Sequence, residues 1–452
     1  FASNSLSCNV PGVSGLKRTF SSLLVFILLS LGMVSCGGSS ATTTSSGLTY
    51  RAFISNPSNL NLSGTISPAL NIVDATQDIL SFASVDLTGT TTSAGMMVET
   101  PIRDHTIVFS PATGSSANNQ VAIVDNAKES ASGSVTLPGP TESMFVAADN
   151  KTLYAAIPTA PENGLPAGAV VQIDTTAATP AITATVPIAG AHFLTQSPSG
   201  NQILVVSDTA NTVSVFTPTL ISQGNTVTTI TGFDKPVWAI FSADGSTAYV
   251  LNCGPECGGT AASVAVLNMA TMSISSTVPV PAATMGLLVG STLYVAGTPL
   301  TSGVDCQANL CGVLTVLSTS DLTATPSTYA ITDGYHDQIV MGQNGQLFIG
   351  SRTCTNLVGG GSTPGRGCLS LLNTADGFIY TAVQNGDVTA IQPIEGRSVV
   401  YVCEGGGLQI YDTNYDLGNR KALALQTTQV VITGQAIDVK LADFPNGNLI
   451  TK

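Results

Sequence analysis

Chemistry in this chain has to come from few side chains, because only 9% of its residues are charged and three are histidine. The nine cysteines are the most patterned of the reactive residues. Cys253/Cys257, Cys306/Cys311 and Cys354/Cys368 form three close pairs, each in a loop between two short apolar runs. In an exported chain such pairs read as disulfides that staple loops. A metal centre is not expected, since no histidine stands at ligand spacing and no pair has the C-x-x-C form. Cys403 has no local partner and reads as a free, half-buried thiol. His105, His192 and His336 are scattered, without an H-E-x-x-H or a G-x-S-x-G. The glycine runs 359–361 and 405–407 lack the Gly-Lys-Ser/Thr of a phosphate loop. Residues 412–418 begin like a calcium loop, but glycine comes one place late and Leu423 stands where a bidentate acid is needed. No catalytic residue, metal or cofactor is therefore assigned.

The elements that must position these residues are short strands. The clearest unit is 236–280, PVWAIFSADGSTAYVLNCGPECGGTAASVAVLNMATMSISSTVPV. An apolar run at 237–242 leads into Ala243-Asp244-Gly245-Ser246, a turn sequence that tolerates positive φ. Residues 247–252 are rich in β-formers. A Gly/Cys/Pro loop, a third strand at 263–267 and a fourth at 272–280 follow. No ten-residue window holds a helical period. We label the four strands A to D.

Variants of this unit recur. Second-strand candidates are 50–54, 105–109, 152–156, 202–206, 247–251, 292–296, 346–350 and 398–402. Third-strand candidates are 70–74, 120–124, 169–173, 212–216, 263–267, 313–317, 368–372 and 406–410. The third strand often ends in Asp or Asn, at Asp74, Asp125, Asp174, Asn268, Asn373 and Asp412, where a short side chain can close an Asx-turn. A B-to-B spacing of about 45–55 residues suits propeller blades. One such sheet cannot bury both of its faces, but copies stacked around an axis can.

The run from Phe241 to Asn252, FSADGSTAYVLN, resembles the YVTN β-propeller repeat, with weaker copies at 197–200 and 211–215. The resemblance implies an all-β, single β-propeller of four-stranded antiparallel blades. Eight blades are counted, and seven are common in similar propellers. The first unit lacks strand A, and residues 435–444 resemble a strand A with nothing after it. The C-terminal strand is thus expected to close the first blade and remove an exposed edge.

The chain divides into a targeting segment at 1–36, a Ser/Thr/Gly tether at 37–48 and the propeller at 49–452. Lys17-Arg18 precedes a twelve-residue apolar run, 23–34, too short for a membrane span of about 20 residues. The end, Met33-Val34-Ser35-Cys36-Gly37, resembles a bacterial lipobox, which implies lipidation at Cys36 and attachment to the outer membrane, on either its periplasmic or its outer side. The net charge is −13, and becomes −15 once Lys17 and Arg18 are removed with the targeting segment. Such a surface disfavours nucleic acid, and leaves the lipid anchor as the membrane contact. A monomer is expected.

In an A-B-C-D meander the B–C loops and D-to-A links emerge together. That face carries His192, Asp234, Trp238, Asp333, Tyr335, His336 and Asp337, with Arg352 and Arg366 in an adjacent loop. It is the expected site for a protein or small-molecule partner, in a binding or scaffold protein. Similar propellers include lactone hydrolases, so the resemblance also leaves open a hydrolase with its site at the channel mouth of the same face.

Overall fold

The computed structural model describes residues 45–447, apart from position 62 and the stretches 115–117, 162–165, 219–226, 301–310, 356–366, 383–385 and 415–428. The expected sites Cys36, Cys306 and Arg366 lie outside the described residues.

Glycine and Asx turns cut the sequence into strands of three to ten residues, too short to do more than cross one small sheet. Every Asp or Asn expected to close a C–D turn does so. The side-chain oxygens of Asp74, Asp174, Asn268, Asn373 and Asp412 each accept the amide two residues on, and Asp125 accepts that of Lys128. In the A–B turn of the best-formed unit Gly245 takes φ 70°, and Asp244 accepts from Ser242 Oγ and the Ser246 amide. These bonds, Ser242 first, pull the Asp244 carboxyl down to about 2.

Eight antiparallel sheets result, and the fold is an all-β propeller of eight blades. Strand A of blade 2 is Met97–Glu99, and blades 3 to 5 follow with Ser143–Val146, Phe193–Gln196 and Pro236–Phe241. Met285–Val289, Tyr335–Met341 and Val388–Ile394 begin blades 6 to 8. Each of these inner strands touches the inner strand of the next blade, all the way round. In blade 8 three strands are described, and a Leu408–Val430 bridge extends the sheet on its outer side. The core lies between blades rather than within one. Phe53, Leu70 and Ile72 of blade 1, for example, pack on Met97, Val108 and Ala122 of blade 2.

The ring closes as the sequence suggests. Asp438–Leu441 pairs antiparallel with Arg51–Leu60, so the last strand becomes strand A of the first blade. Buried charges lock this register. Arg51 sends Nε and Nη2 to the two carboxylate oxygens of Asp443, each at 2.7 Å, and Nη1 to Glu129 at 2.7 Å. Glu129 in turn holds both the amide and the hydroxyl of Ser46. On the same rim Arg397 of blade 8 forks onto Asp78 of blade 1 at 2.5 and 2.8 Å.

Blade 1 departs from expectation in one respect. Its strands B and C, Arg51–Leu60 and Ile66–Asp74, run well past the expected 50–54 and 70–74. The expected bounds leave NPSNLNLSG between the strands, but a bulge between Asn56 and Asn59 lets the amides pair across the hairpin. Asn56 Nδ2 donates to Asn71 Oδ1 at 2.8 Å, and Asn71 Nδ2 to Asn59 Oδ1 at 3.1 Å.

Removing one partner of a buried ion pair costs about 3–5 kcal/mol, because the other charge stays buried. Asp443→Ala is therefore expected to lower the urea unfolding free energy by that amount. The loss should persist in 1 M salt, since a buried pair is weakly screened.

Candidate functional site

Strand directions fix which loops share a face. The first residues of strand A pair with the last of strand B, as in Pro236 with Asn252, Tyr335 with Arg352 and Val388 with Glu404. The D-to-A links and B–C loops therefore open on one side of the ring, at the mouth of its channel.

Two of the expected disulfides are formed here, Cys253–Cys257 and Cys354–Cys368. Cys311 is also disulfide-bonded, and its expected partner Cys306 lies outside the described residues. Cys403 is a free thiol, fully buried rather than half-buried, and burial pushes its pKa well up. Its place in the blade 8 core makes it a packing residue.

The disulfide loops are held by aspartates from the D-to-A links. Asp234 Oδ2 accepts from the Thr260 and Ala261 amides at 2.8 and 2.7 Å and from Thr260 Oγ1 at 2.5 Å. These bonds, the Thr260 hydroxyl first, lower its pKa. Asp333 Oδ1 accepts from the Thr355 amide at 2.8 Å. Both were candidate ligand groups, and their acceptor capacity is directed at their own loops. His336 differs from expectation more clearly. It is fully buried, with Nε2 3.0 Å from Thr332 O and Nδ1 without a partner. Burial holds its pKa down at about 4, so it is neutral, and its ring supports the face from behind.

Other residues meet at the mouth. Tyr335 opens strand A of blade 7 with 37% of its surface exposed. Solvent reaches the ring, yet its phenol pKa is driven up, first by burial and then by Glu256, Asp337, Glu142 and Asp208. These carboxylates come from blades 5, 7, 3 and 4. Asp337 accepts Arg352 Nε at 2.5 Å through Oδ2, while its buried Oδ1 has no partner. Burial raises Asp337 to about 6 against the pull of Arg352. Glu256 sits within the Cys253–Cys257 loop and accepts the Thr298 amide at 2.8 Å. Burial raises it to about 7. His192 Nδ1 lies 3.3 Å from Glu142. Trp238 stacks on Phe193 of the neighbouring blade with centroids 3.8 Å apart, and its buried Nε1 is unpartnered.

Glu256, Glu142, Asp208 and Phe193 were not among the residues expected on this face. Glu256 could have been found as the acid between Cys253 and Cys257. The other three carry no local signal, because their importance comes from neighbours in other blades. Carboxyls that titrate near neutrality beside an exposed phenol can bind an ammonium or hydroxyl group, or carry a proton.

No family model matches this chain, and no curated protein matches it. Among solved structures, the dihydro-haem d1 dehydrogenase NirN in complex with DHE is 10% identical, with a TM-score of 0.58 over 86% of this chain and 74% of that one. Kuenenia stuttgartiensis hydrazine synthase is 14% identical, with a TM-score of 0.53 over 73% of this chain and 99% of that chain. The Pseudomonas aeruginosa periplasmic gluconolactonase is 14% identical, with a TM-score of 0.49 over 87% and 99%. At these identities the likeness concerns the propeller fold alone.

Raised carboxyls make stability depend on pH. The folded chain holds the Glu256 proton more tightly than the unfolded chain, so this contribution is full below about 4.5, the ordinary value, and is lost as pH rises to about 7. Relative to Glu256→Gln, the wild type should lose urea stability over that interval and run parallel to the variant above it. Non-reducing peptide mapping of the protein should also recover a 306–311 peptide pair.

Proposed function

We propose that this chain is a lipid-anchored envelope propeller that binds a small, positively charged or hydroxyl-rich ligand at the mouth around Tyr335. The observation that carries this reading is the half-exposed Tyr335 at the mouth, with the Asp337–Arg352 pair in its own blade and acids of three other blades, Glu256, Glu142 and Asp208, acting on its phenol electrostatically. Negative potential at a recessed opening raises the local concentration of cations. Trp238 and Phe193 add aromatic surface on the same face, the combination of apolar wall and few polar groups that ligand sites use. The lipobox-like sequence ending at Cys36 supports anchoring, and no helix among the described residues is long and apolar enough to cross a membrane.

A second reading rests on two raised carboxyls on this face. Asp337 at about 6 and Glu256 at about 7 are poised for proton transfer at neutral pH. That is what a hydrolase at this mouth would need, in line with the lactonase-like resemblance of the repeat.

Calorimetric titration with spermidine, with glucose and with gluconate separates ligand charges. The binding reading expects spermidine or glucose to bind, gluconate not to bind, and Tyr335→Ala to weaken binding tenfold or more at unchanged stability. Preferential gluconate binding would overturn it. Turnover of glucono-δ-lactone that is lost in both Glu256→Gln and Asp337→Asn would favour the hydrolase. Cys36→Ser should move the protein from the membrane fraction to the soluble one, and an unchanged distribution would remove the anchor.

A further inference from the structure

On the opposite face, where the ring closes, the hydrogen atoms do not add up unless a carboxyl is protonated. Glu99 ends strand A of blade 2, beside the closing strand Asp438–Leu441. Both of its carboxyl oxygens lie 2.9 Å from Thr106 Oγ1. Thr106 Oγ1 also lies 2.7 Å from Asn126 Oδ1. Asn126 Nδ2 donates to Arg103 O at 3.0 Å and to Glu99 Oε2 at 3.2 Å, and approaches Ala442 O at 3.5 Å. The Asn126 amide cannot be turned round, because its oxygen would then face two or three acceptors. Thr106 has one hydroxyl proton, and the shortest contact commits it to Asn126 Oδ1. The contact from Thr106 to Glu99 is then oxygen against oxygen with no hydrogen between, unless Glu99 supplies one.

We infer that Glu99 is a neutral carboxylic acid in the folded protein at neutral pH, and that its ionisation loosens the seam where the last strand closes the ring. With that proton the bonds form a closed circuit. Glu99 donates to Thr106, Thr106 donates to Asn126, and Asn126 donates back to Glu99. Thr106 and Asn126 are almost wholly buried, so an unmade bond there has no water to replace it. The same Asn126 accepts Arg51 Nη1 through its carbonyl at 2.8 Å, which ties the circuit to the Arg51–Asp443 fork.

The charges around Glu99 do not neutralise it. Lys440 on the closing strand is held by Asp438 at 2.8 Å, and Asp438 also accepts the Met97 amide at 2.6 Å. Arg103, in the A–B turn, is spent on Glu395, on Asp443 O and on the face of Phe444. Asp104 beside it bonds Thr100 and Asn150. Arg51 is matched by Asp443 and Glu129. Strand A of blade 3, SMFV, brings no charge. Burial outweighs the contacts with Thr106 and Asn126 and the pull of Lys440 and Arg103, and raises the Glu99 carboxyl to about 8.

The sign follows. Opening the seam returns Glu99 to water, where it ionises near 4.5, its ordinary value. Between that pH and about 8 the opened form gains up to about tenfold per pH unit, and above about 8 the closed form ionises too and the gain stops. Glu99→Gln is the direct test, since its amide can donate to Thr106 and accept from Asn126 without titrating. We expect urea midpoints of wild type and Glu99→Gln to diverge from pH 5 to 8 and run parallel above, the variant being the more stable. Carbon-13 NMR of the labelled Glu99 carboxyl should report a neutral acid at pH 7. Amide exchange of residues 439–442, corrected for its intrinsic pH dependence, should accelerate with pH in wild type alone. Parallel midpoint curves from pH 5 to 8, or a carboxylate shift at pH 7, would overturn the inference. If Glu99→Gln proves unstable, the NMR titration of the wild type decides.

Discussion

Arg51 is the first charged residue of the first strand, and it is almost completely buried. A buried guanidinium is tolerable only where its donors are taken, and here Asp443, Glu129 and the Asn126 carbonyl take them. Two of these groups lie in blade 2, and Asp443 follows the last strand of the chain. A fork of two parallel bonds has little freedom to slide. Asp443 meets Arg51 when Leu441 pairs with Ala52, so the charges select one register for a strand of four residues. Such pairs add little net stability, since desolvation offsets most of their attraction. Their effect is specificity, and a propeller with two free ends needs it, because an unpaired inner strand would expose a sheet edge.

Closure matters for the candidate site because the site belongs to no single blade. Glu142, Asp208, Glu256 and Tyr335 come from blades 3, 4, 5 and 7. They keep their geometry only while the inner strands hold one another in a ring. Two loops at the mouth are stiffened locally, each by a disulfide and by an aspartate clamp, Asp234 on Thr260 and Ala261 and Asp333 on Thr355. The two faces thus divide the work. One rim carries the ion pairs that shut the ring, and the other presents loops whose backbone is already satisfied.

Much of the fold was legible because it rests on local chemistry. Asp244-Gly245, and the Asp or Asn that ends each C strand named, act within three residues of themselves, so their turns could be read directly. The blade count follows from those turns, and the closing strand from an A-type segment left over at the end. The candidate site was less legible. Bulges between Pro236 and Trp238 and between His336 and Gln338 break the simple alternation of inward and outward side chains. His336 was expected at the mouth from its place beside the D-to-A link and is buried, whereas Tyr335 and Asp337 do reach it. Glu99 shows the same limit. Its state depends on Thr106, on Asn126 and on a strand more than 300 residues away, none of which a local pattern connects.

The chain ends join the blades into one cooperative ring. Hydrogen exchange of the amides of Val439 to Ala442 tests it most directly, set against Ala239 to Phe241 in the inner strand of blade 5. Both segments should open with the same free energy, that of global unfolding, when measured at pH 6, where Glu99 keeps its proton. Exchange of 439–442 several orders of magnitude faster than that of 239–241 would mean that the last strand is an appendage, and that the ring stands without it.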